Sequence, residues 1–150
     1  MTTEPEPKRK RKQTLNTINM KGELITKWGP VLTQSLYHTG ELGRTITYHK
    51  LIERTDFKIA REELMIILGE VNEAEYRKYK IFIVSLAVRN DPHHGIRLPD
   101  EKWFSAIIEK KSSTRPAMTF TDICLYEKER AIQVIREVKR KERMSTHNLW

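Results

Sequence analysis

The chain of 150 residues is poor in cysteine and contains no long apolar stretch. Cys124 is its single cysteine, so an intramolecular disulfide is impossible and a thiolate metal site is not expected. The longest apolar stretch, residues 81–88, is interrupted by Ser85 and is far shorter than the ~20 residues of a membrane-spanning helix. No apolar segment follows the charged N-terminus, so no secretory signal is expected. These absences exclude an integral membrane protein and favour a cytoplasmic protein with no metal or cofactor.

Positive charge is in excess, since 28 Lys and Arg against 20 Asp and Glu give a formal net charge of +8. Such a surplus predicts an anionic partner, and nucleic acid is the first candidate, with DNA ahead of RNA. The protein would then lie with the nucleoid in a bacterium or phage, and in the nucleus of a eukaryote. The charge is uneven, because residues 1–12 and residues 136–143 each carry five positive and two negative charges. The remainder of the chain is almost balanced.

The two basic segments indicate where phosphate would bind, because each neutralised phosphate releases a counterion. Residues 1–18 lack the apolar side chains that offset the entropy of ordering, so a disordered basic arm is expected there. A tail that only aids solubility is the alternative. Residues 19–138 are expected to form one domain, and residues 139–150 the basic end of a helix and a tail. The predicted phosphate contacts in these segments are Lys8, Arg9, Lys10, Arg11, Lys12, Arg136, Lys139, Arg140 and Lys141.

Helical periodicity marks the first half of the chain. Apolar residues recur every three or four positions over residues 21–37 and again over residues 59–71, which predicts two amphipathic helices. Gly29-Pro30 should kink or restart the first helix. Between the two, Thr47 has the residue type of an N-cap and would begin a short helix. The short helix and the one after it, joined by a few residues, predict a helix-turn-helix.

A buried strand is predicted over residues 80–89, which are apolar and β-branched almost throughout. Residues 95–99 alternate and would return beside it as the second half of a hairpin, the wing, with His93 and His94 at the tip. Asp100 then has the residue type of a helix N-cap.

A long last helix opens at Thr119 or Thr121, and its final turns are charged on all sides. The expected fold is therefore mostly α with a small β-hairpin (α+β). It would consist of a winged-helix-like helix-turn-helix core and a long C-terminal helix.

Part of the chain resembles the C-terminal domain of alkylguanine-DNA alkyltransferases and alkyltransferase-like proteins. About 50 of the 150 residues are covered. The resemblance implies a winged helix that enters the minor groove of DNA and turns a damaged base out of the stack. It is carried by Gly43-Arg44-Thr45-Ile46-Thr47-Tyr48-His49-Lys50-Leu51-Ile52, Arg61, Leu68-Gly69, Ala87-Val88-Arg89-Asn90-Asp91 and Gly95.

The chemistry of that family is not expected here. The family's Pro-Cys-His-Arg motif, which supplies the nucleophilic thiolate, should fall just before Ala87, where this chain reads Ile83-Val84-Ser85-Leu86. Cys124 lies in another segment, and nothing near it would activate a thiol.

The leading hypothesis is a non-enzymatic nucleic-acid-binding or accessory protein that uses its arm, wing and C-terminal helix end. At the wing, Arg89, His93, His94 and Arg97 would contact phosphate or enter a minor groove. The helix over residues 59–71 is unsuited to this task, because its outer positions are acidic and apolar. The alternative is therefore a protein-interaction module, an inhibitor or adaptor, whose contact residues would be Glu62, Glu63, Ile66 and Glu70.

A magnesium-dependent nuclease is the third hypothesis. Pro99-Asp100, a spacer and Glu109-Lys110-Lys111 match a pattern in which two carboxylates hold the metal and a lysine steadies the attacking water. The match is unspecific in so charged a chain, and the spacer has the pattern of a helix rather than a strand. The oligomeric state is left open.

Overall fold

The computed structural model describes the backbone of residues 6–92, 94–111 and 118–148, and side chains within residues 21–145. The described chain is mostly helical, with two very short strands. No helix in it is long and apolar enough to cross a membrane. The elements in chain order are α1 (Glu6–Glu41), β1 (Ile46–Thr47), α2 (Tyr48–Glu53), α3 (Arg61–Tyr79), a 3₁₀-helix (Ile83–Leu86), β2 (Ala87–Val88), α4 (Glu101–Lys111) and α5 (Phe120–Asn148).

Helix α1 is much longer than the sequence pattern predicts. It begins at Glu6, so residues 6–18, for which the sequence predicts a disordered arm, are helical in the structure. Lys, Arg, Gln and Leu are good helix formers, and no Gly or Pro falls between residues 8 and 21. The helix also continues through Pro30 instead of restarting there.

Helices α2 and α3 lie where the sequence predicts the two helices of a helix-turn-helix, but the connection, residues 54–60, is seven residues long. Thr47 caps α2, since its Oγ1 accepts a hydrogen bond of 3.1 Å from the Lys50 N–H. Helix α3 runs to Tyr79, eight residues beyond the periodic stretch that predicted it. Its extension is packed through polar side chains, because Asn72 Oδ1 accepts from the Val84 N–H at 3.2 Å and Glu75 accepts from the Tyr37 hydroxyl at 2.5 Å. An apolar pattern cannot reveal such contacts.

The prediction of a strand over residues 80–89 is largely wrong. Four of its ten residues, Ile83–Leu86, form the 3₁₀-helix, and only Ala87–Val88 is a strand. This strand pairs in parallel with Ile46–Thr47, so the small sheet is not a hairpin. Residues 95–99 still return beside the strand end, where the Arg89 N–H donates to the Leu98 carbonyl at 2.9 Å. The mostly α fold with a small β element and a long C-terminal helix is confirmed.

The core surrounds the 3₁₀-helix, all four residues of which are buried. Helices α1, α3 and α5 pack against it, and α1 also packs against α3 and α5. An aromatic row crosses the core, with ring centroids 5.1 Å apart between Tyr76 and Phe82, 6.2 Å between Phe82 and Phe104, and 6.3 Å between Phe104 and Phe120. Each fully buried apolar side chain contributes about 1.5–3 kcal/mol, so this core is the main stabilising feature of the fold.

Candidate nucleic-acid interface

The wing segment, residues 89–100, is fastened to the start of α2 at both of its ends. At one end, Asn90 Oδ1 accepts a hydrogen bond of 3.3 Å from the His49 N–H. At the other, the Asp100 N–H donates to the Tyr48 hydroxyl oxygen at 2.9 Å. Burial raises the pKa of Tyr48 to about 12, so this phenol stays neutral at physiological pH. The two anchors hold the wing segment beside α2.

The wing segment presents cations to solvent. Arg97 is exposed, and its Nε donates to the Asn90 carbonyl at 2.8 Å, which orients the side chain. Arg89 is exposed as well and pairs with Asp91 at 3.3 Å. An exposed pair of this kind is worth at most about 1 kcal/mol, so phosphate can displace the carboxylate. His94 is exposed, with φ +51° at the tip, and His93 lies outside the described residues.

Helix α2 and the turn after it add exposed cations that are not among the predicted phosphate contacts. Lys50, Arg54 and Lys58 are all exposed. They alternate with Glu53 and Asp56, so no basic run marks them in the sequence. Both wing anchors are on the first two residues of α2, so the three cations follow the anchor points directly in the chain.

At the basic end of α5, the four predicted phosphate contacts already have partners within the chain. Cations of this end reach α1, where the Arg136 Nε donates to the Glu41 carbonyl at 3.2 Å and Arg143 pairs with the Glu41 carboxylate at 2.6 Å. This pair lowers the pKa of Glu41 below its ordinary range. The remaining pairs are Arg140 with Glu137 at 2.6 Å, Lys139 with Glu142 at 3.7 Å and Lys141 with Glu137 at 4.0 Å.

The five cations of the basic arm lie in the first turns of α1, and their side chains are outside the described part of the chain. They are Lys8, Arg9, Lys10, Arg11 and Lys12.

The outer face of α3 is acidic and apolar. Glu62, Ile66 and Glu70 are four residues apart, lie on one stripe of the helix and are exposed, Ile66 by 36%. Glu63 has a different role, because its carboxylate accepts a 2.7 Å hydrogen bond from the Ala60 N–H and so caps the helix. Carboxylates on this stripe would repel phosphate.

The segment that would hold the family's nucleophile is inaccessible. Ser85 is 2% exposed, and its Oγ has no hydrogen-bond partner in the part of the chain that the structure describes. Cys124 is also buried, and burial, with the Glu101 and Glu127 carboxylates nearby, raises the pKa of its thiol to about 12. A thiol of this kind supplies almost no thiolate at neutral pH.

The two carboxylates of the nuclease pattern do not meet. Asp100 caps α4, where its Oδ1 accepts from the Trp103 N–H at 3.0 Å. Glu109 follows nine residues later on the same helix, which separates the two by about 13 Å along the axis. One magnesium ion cannot bridge that distance. Within residues 6–92, 94–111 and 118–148, no group of three or more His, Cys, Asp or Glu residues could hold a metal ion.

No family model, no curated protein and no solved structure matches the chain.

Proposed function

We propose that the protein binds nucleic acid, DNA in preference to RNA, and catalyses no reaction on it. The supporting observation is the exposed pair Arg89 and Arg97 on a wing segment that both anchors fasten to α2. A rigid mount means that little entropy is lost when these side chains meet phosphate. Lys50, Arg54 and Lys58, exposed on α2 and in the turn after it, would add further cations, Lys50 from an exposed ion pair with Glu53 at 3.5 Å.

Binding of this kind depends on charge more than on base sequence. Contacts to phosphate position a protein on nucleic acid without reading its sequence, and affinity falls steeply with salt because counterions are released. The arm would add five further cations, Lys8 to Lys12. The basic end of α5 would contribute less, because its cations are paired with Glu41, Glu137 and Glu142.

The test compares two double variants of equal net charge by their affinity for duplex DNA as salt is varied. Arg89→Gln with Arg97→Gln should lower affinity at about 50 mM salt and reduce the salt slope by about 2, since each phosphate contact contributes about 0.9. Lys110→Gln with Arg130→Gln removes two exposed cations from α4 and α5 and should leave the slope almost unchanged. Equal losses in both variants, or a wild-type chain that binds neither duplex nor single strand, would contradict the proposal.

A second candidate function, capture of a protein partner, is favoured by the stripe on α3. Ile66 is exposed between Glu62 and Glu70, and neither carboxylate has a hydrogen bond or an ion pair in the described part of the chain. If this stripe binds a protein, Ile66→Arg should abolish partner capture without lowering nucleic-acid affinity. Deleting residues 1–12 should lower nucleic-acid affinity and leave partner capture unchanged. A pull-down from native lysate, with and without nuclease treatment, separates the two functions.

A further inference from the structure

Phe57, in the turn between α2 and α3, is the most exposed of the large apolar side chains that the structure describes, at 61%. Burial of a phenylalanine is favourable, but the backbone of the turn directs Phe57 away from the core.

Two consecutive residues of the turn have left-handed backbone angles, φ +56° at Asp56 and φ +59° at Phe57. This conformation is unfavourable for a bulky residue and persists only where neighbouring contacts impose it. The fully buried Thr55 imposes it here, since its hydroxyl donates to the Ile52 carbonyl at 2.7 Å. The Phe57 N–H donates to the same carbonyl at 3.1 Å. The ring is therefore held outward by hydrogen bonds.

A second ring lies next to Phe57. The imidazole of His49 has its centroid 5.8 Å from that of Phe57, with an interplanar angle of 53°. The backbone N–H of His49 also donates to Asn90 Oδ1, so the two rings lie where the wing segment meets α2. The exposed cations Arg54 and Lys58 come three residues before and one residue after Phe57 in the chain.

We propose that Phe57 and His49 form a stacking platform for one unpaired base of a nucleic acid, whose flanking phosphates lie on Arg54, Lys58 and the wing segment. The inference rests on the proposed function and adds to it a preferred ligand, a single strand or a duplex with an unpaired base. Aromatic rings bind any base, because every base has a π-face. A paired base inside a duplex is covered on both faces by its neighbours, so only an unpaired base can use the platform.

The experiment measures affinity for a single-stranded oligonucleotide labelled with 2-aminopurine and for the matched duplex. Phe57→Ala should weaken single-strand binding by about 5- to 100-fold, the loss expected for one stacked base, and remove the quenching of the 2-aminopurine. Duplex affinity should change less than about twofold, and the salt slope should stay the same because no charge is lost. Phe57→Trp should keep single-strand affinity. Tyr126→Ala, which removes another exposed aromatic side chain from α5, is the control and should have no effect.

The outcomes separate this inference from the proposed function. Unchanged single-strand affinity in Phe57→Ala, with wild-type binding intact, overturns the platform and leaves the proposed function standing. An equal loss in Tyr126→Ala, or an equal loss on duplex, overturns the platform as well. A wild-type chain that binds no nucleic acid overturns both. Because Phe57 is exposed, its variants should fold, and a circular dichroism spectrum checks this.

Discussion

Lys80 ends α3 in a left-handed conformation, with φ +57°, although it carries a side chain. Its N–H donates to the Tyr76 carbonyl at 2.9 Å, and its ammonium lies 5.2 Å from the centre of the Tyr76 ring. Glycine is the usual residue at this position, because a Cβ makes the left-handed region about 1–2 kcal/mol less favourable. The native chain therefore carries a local strain that a single substitution can remove.

We expect Lys80→Gly to raise the free energy of unfolding by about 0.5–1 kcal/mol, since part of the gain is offset by the flexibility of glycine in the unfolded chain and by the lost contact with Tyr76. Urea denaturation followed by circular dichroism measures the change. Ala74→Gly, at an exposed position inside α3, is the matched control and should lower the same quantity by about 1 kcal/mol. Two changes of the same sign would show that the strain at Lys80 is not relieved by glycine.

Helix α1 packs closely against α5 at Gly40. A Cβ at this position would lie 2.5 Å from Ile135 Cδ1 and 3.1 Å from Leu86 Cδ1, both in the core. The absence of a side chain is what allows the two helices to come so near. Gly40 is within α1, where glycine lowers helix stability by about 1 kcal/mol relative to alanine, so packing decides the residue here.

Gly40→Ala should lower the free energy of unfolding by about 1 kcal/mol, because crowding of about 1–3 kcal/mol exceeds the gain in helix propensity. Ile135→Val alone should cost about 0.5–1.5 kcal/mol. The double variant should be no less stable than Gly40→Ala, because valine lacks the Cδ1 atom that the new methyl group meets. Additive losses in urea denaturation would mean that the two side chains do not clash.

The cations at the end of α5 are paired with carboxylates, whereas the basic sequence of this segment suggests free positive charge. Its five cations are accompanied by Glu137 and Glu142 from α5 and by Glu41 from the end of α1. Only the last of these carboxylates comes from a distant part of the chain. Each would have to be displaced, or would repel phosphate from nearby, when nucleic acid approaches α5.

Under the proposed function, Glu41→Gln should tighten DNA binding by about two- to tenfold at 50 mM salt and steepen the salt slope by up to about 1. The reason is that Arg143 loses its carboxylate partner. Glu129→Gln changes the net charge equally, at an exposed position nearer the start of α5, and should have a much smaller effect. Filter binding over a range of salt measures both. Equal effects would mean that only net charge matters, not the Glu41 contact.

At the scale of the whole molecule, one core connects all the helices from α1 to α5. Trp28 on α1 and Trp103 on α4 are both half-buried against it. The expectation that residues 19–138 form one domain therefore has a direct consequence for unfolding, because a small single domain unfolds in one cooperative step.

Two variants test this. One keeps only Trp28 and the other keeps only Trp103, with phenylalanine at the other two tryptophan positions. In each variant, the urea transition seen by fluorescence should coincide with the transition seen by far-ultraviolet circular dichroism. A tryptophan transition that precedes the circular dichroism transition would mean that α1 or α4 separates from the core independently.

Much of this fold can be predicted from local patterns. The caps Thr47 and Asp100, helices α2 and α3 and the long last helix follow from residue type and periodicity, which act over a few residues. The end of α3 and the 3₁₀-helix do not, because they depend on the side chain of Asn72 reaching the backbone of Val84. That contact links two elements and leaves no periodic signal.

Some residues of the candidate interface can likewise be predicted from the sequence, and others cannot. The sequence identified Arg89, His94 and Arg97 near a turn, but it did not find Phe57. A phenylalanine followed by a lysine is unremarkable in a sequence, and only the left-handed backbone exposes its ring. The sequence also does not show that Arg143, at the basic end of α5, pairs with Glu41, because so distant a partner cannot be recognised from spacing.

The sequence by itself determined a helical, basic chain with a single cysteine and no apolar stretch long enough to span a membrane, because composition and periodicity need no knowledge of contacts. The tertiary structure alone decided which charges are neutralised, which aromatic ring is exposed and how the wing segment is mounted on α2. Each of these depends on residues far apart in the chain being brought within hydrogen-bonding distance, as Arg143 and Glu41 are at 2.6 Å.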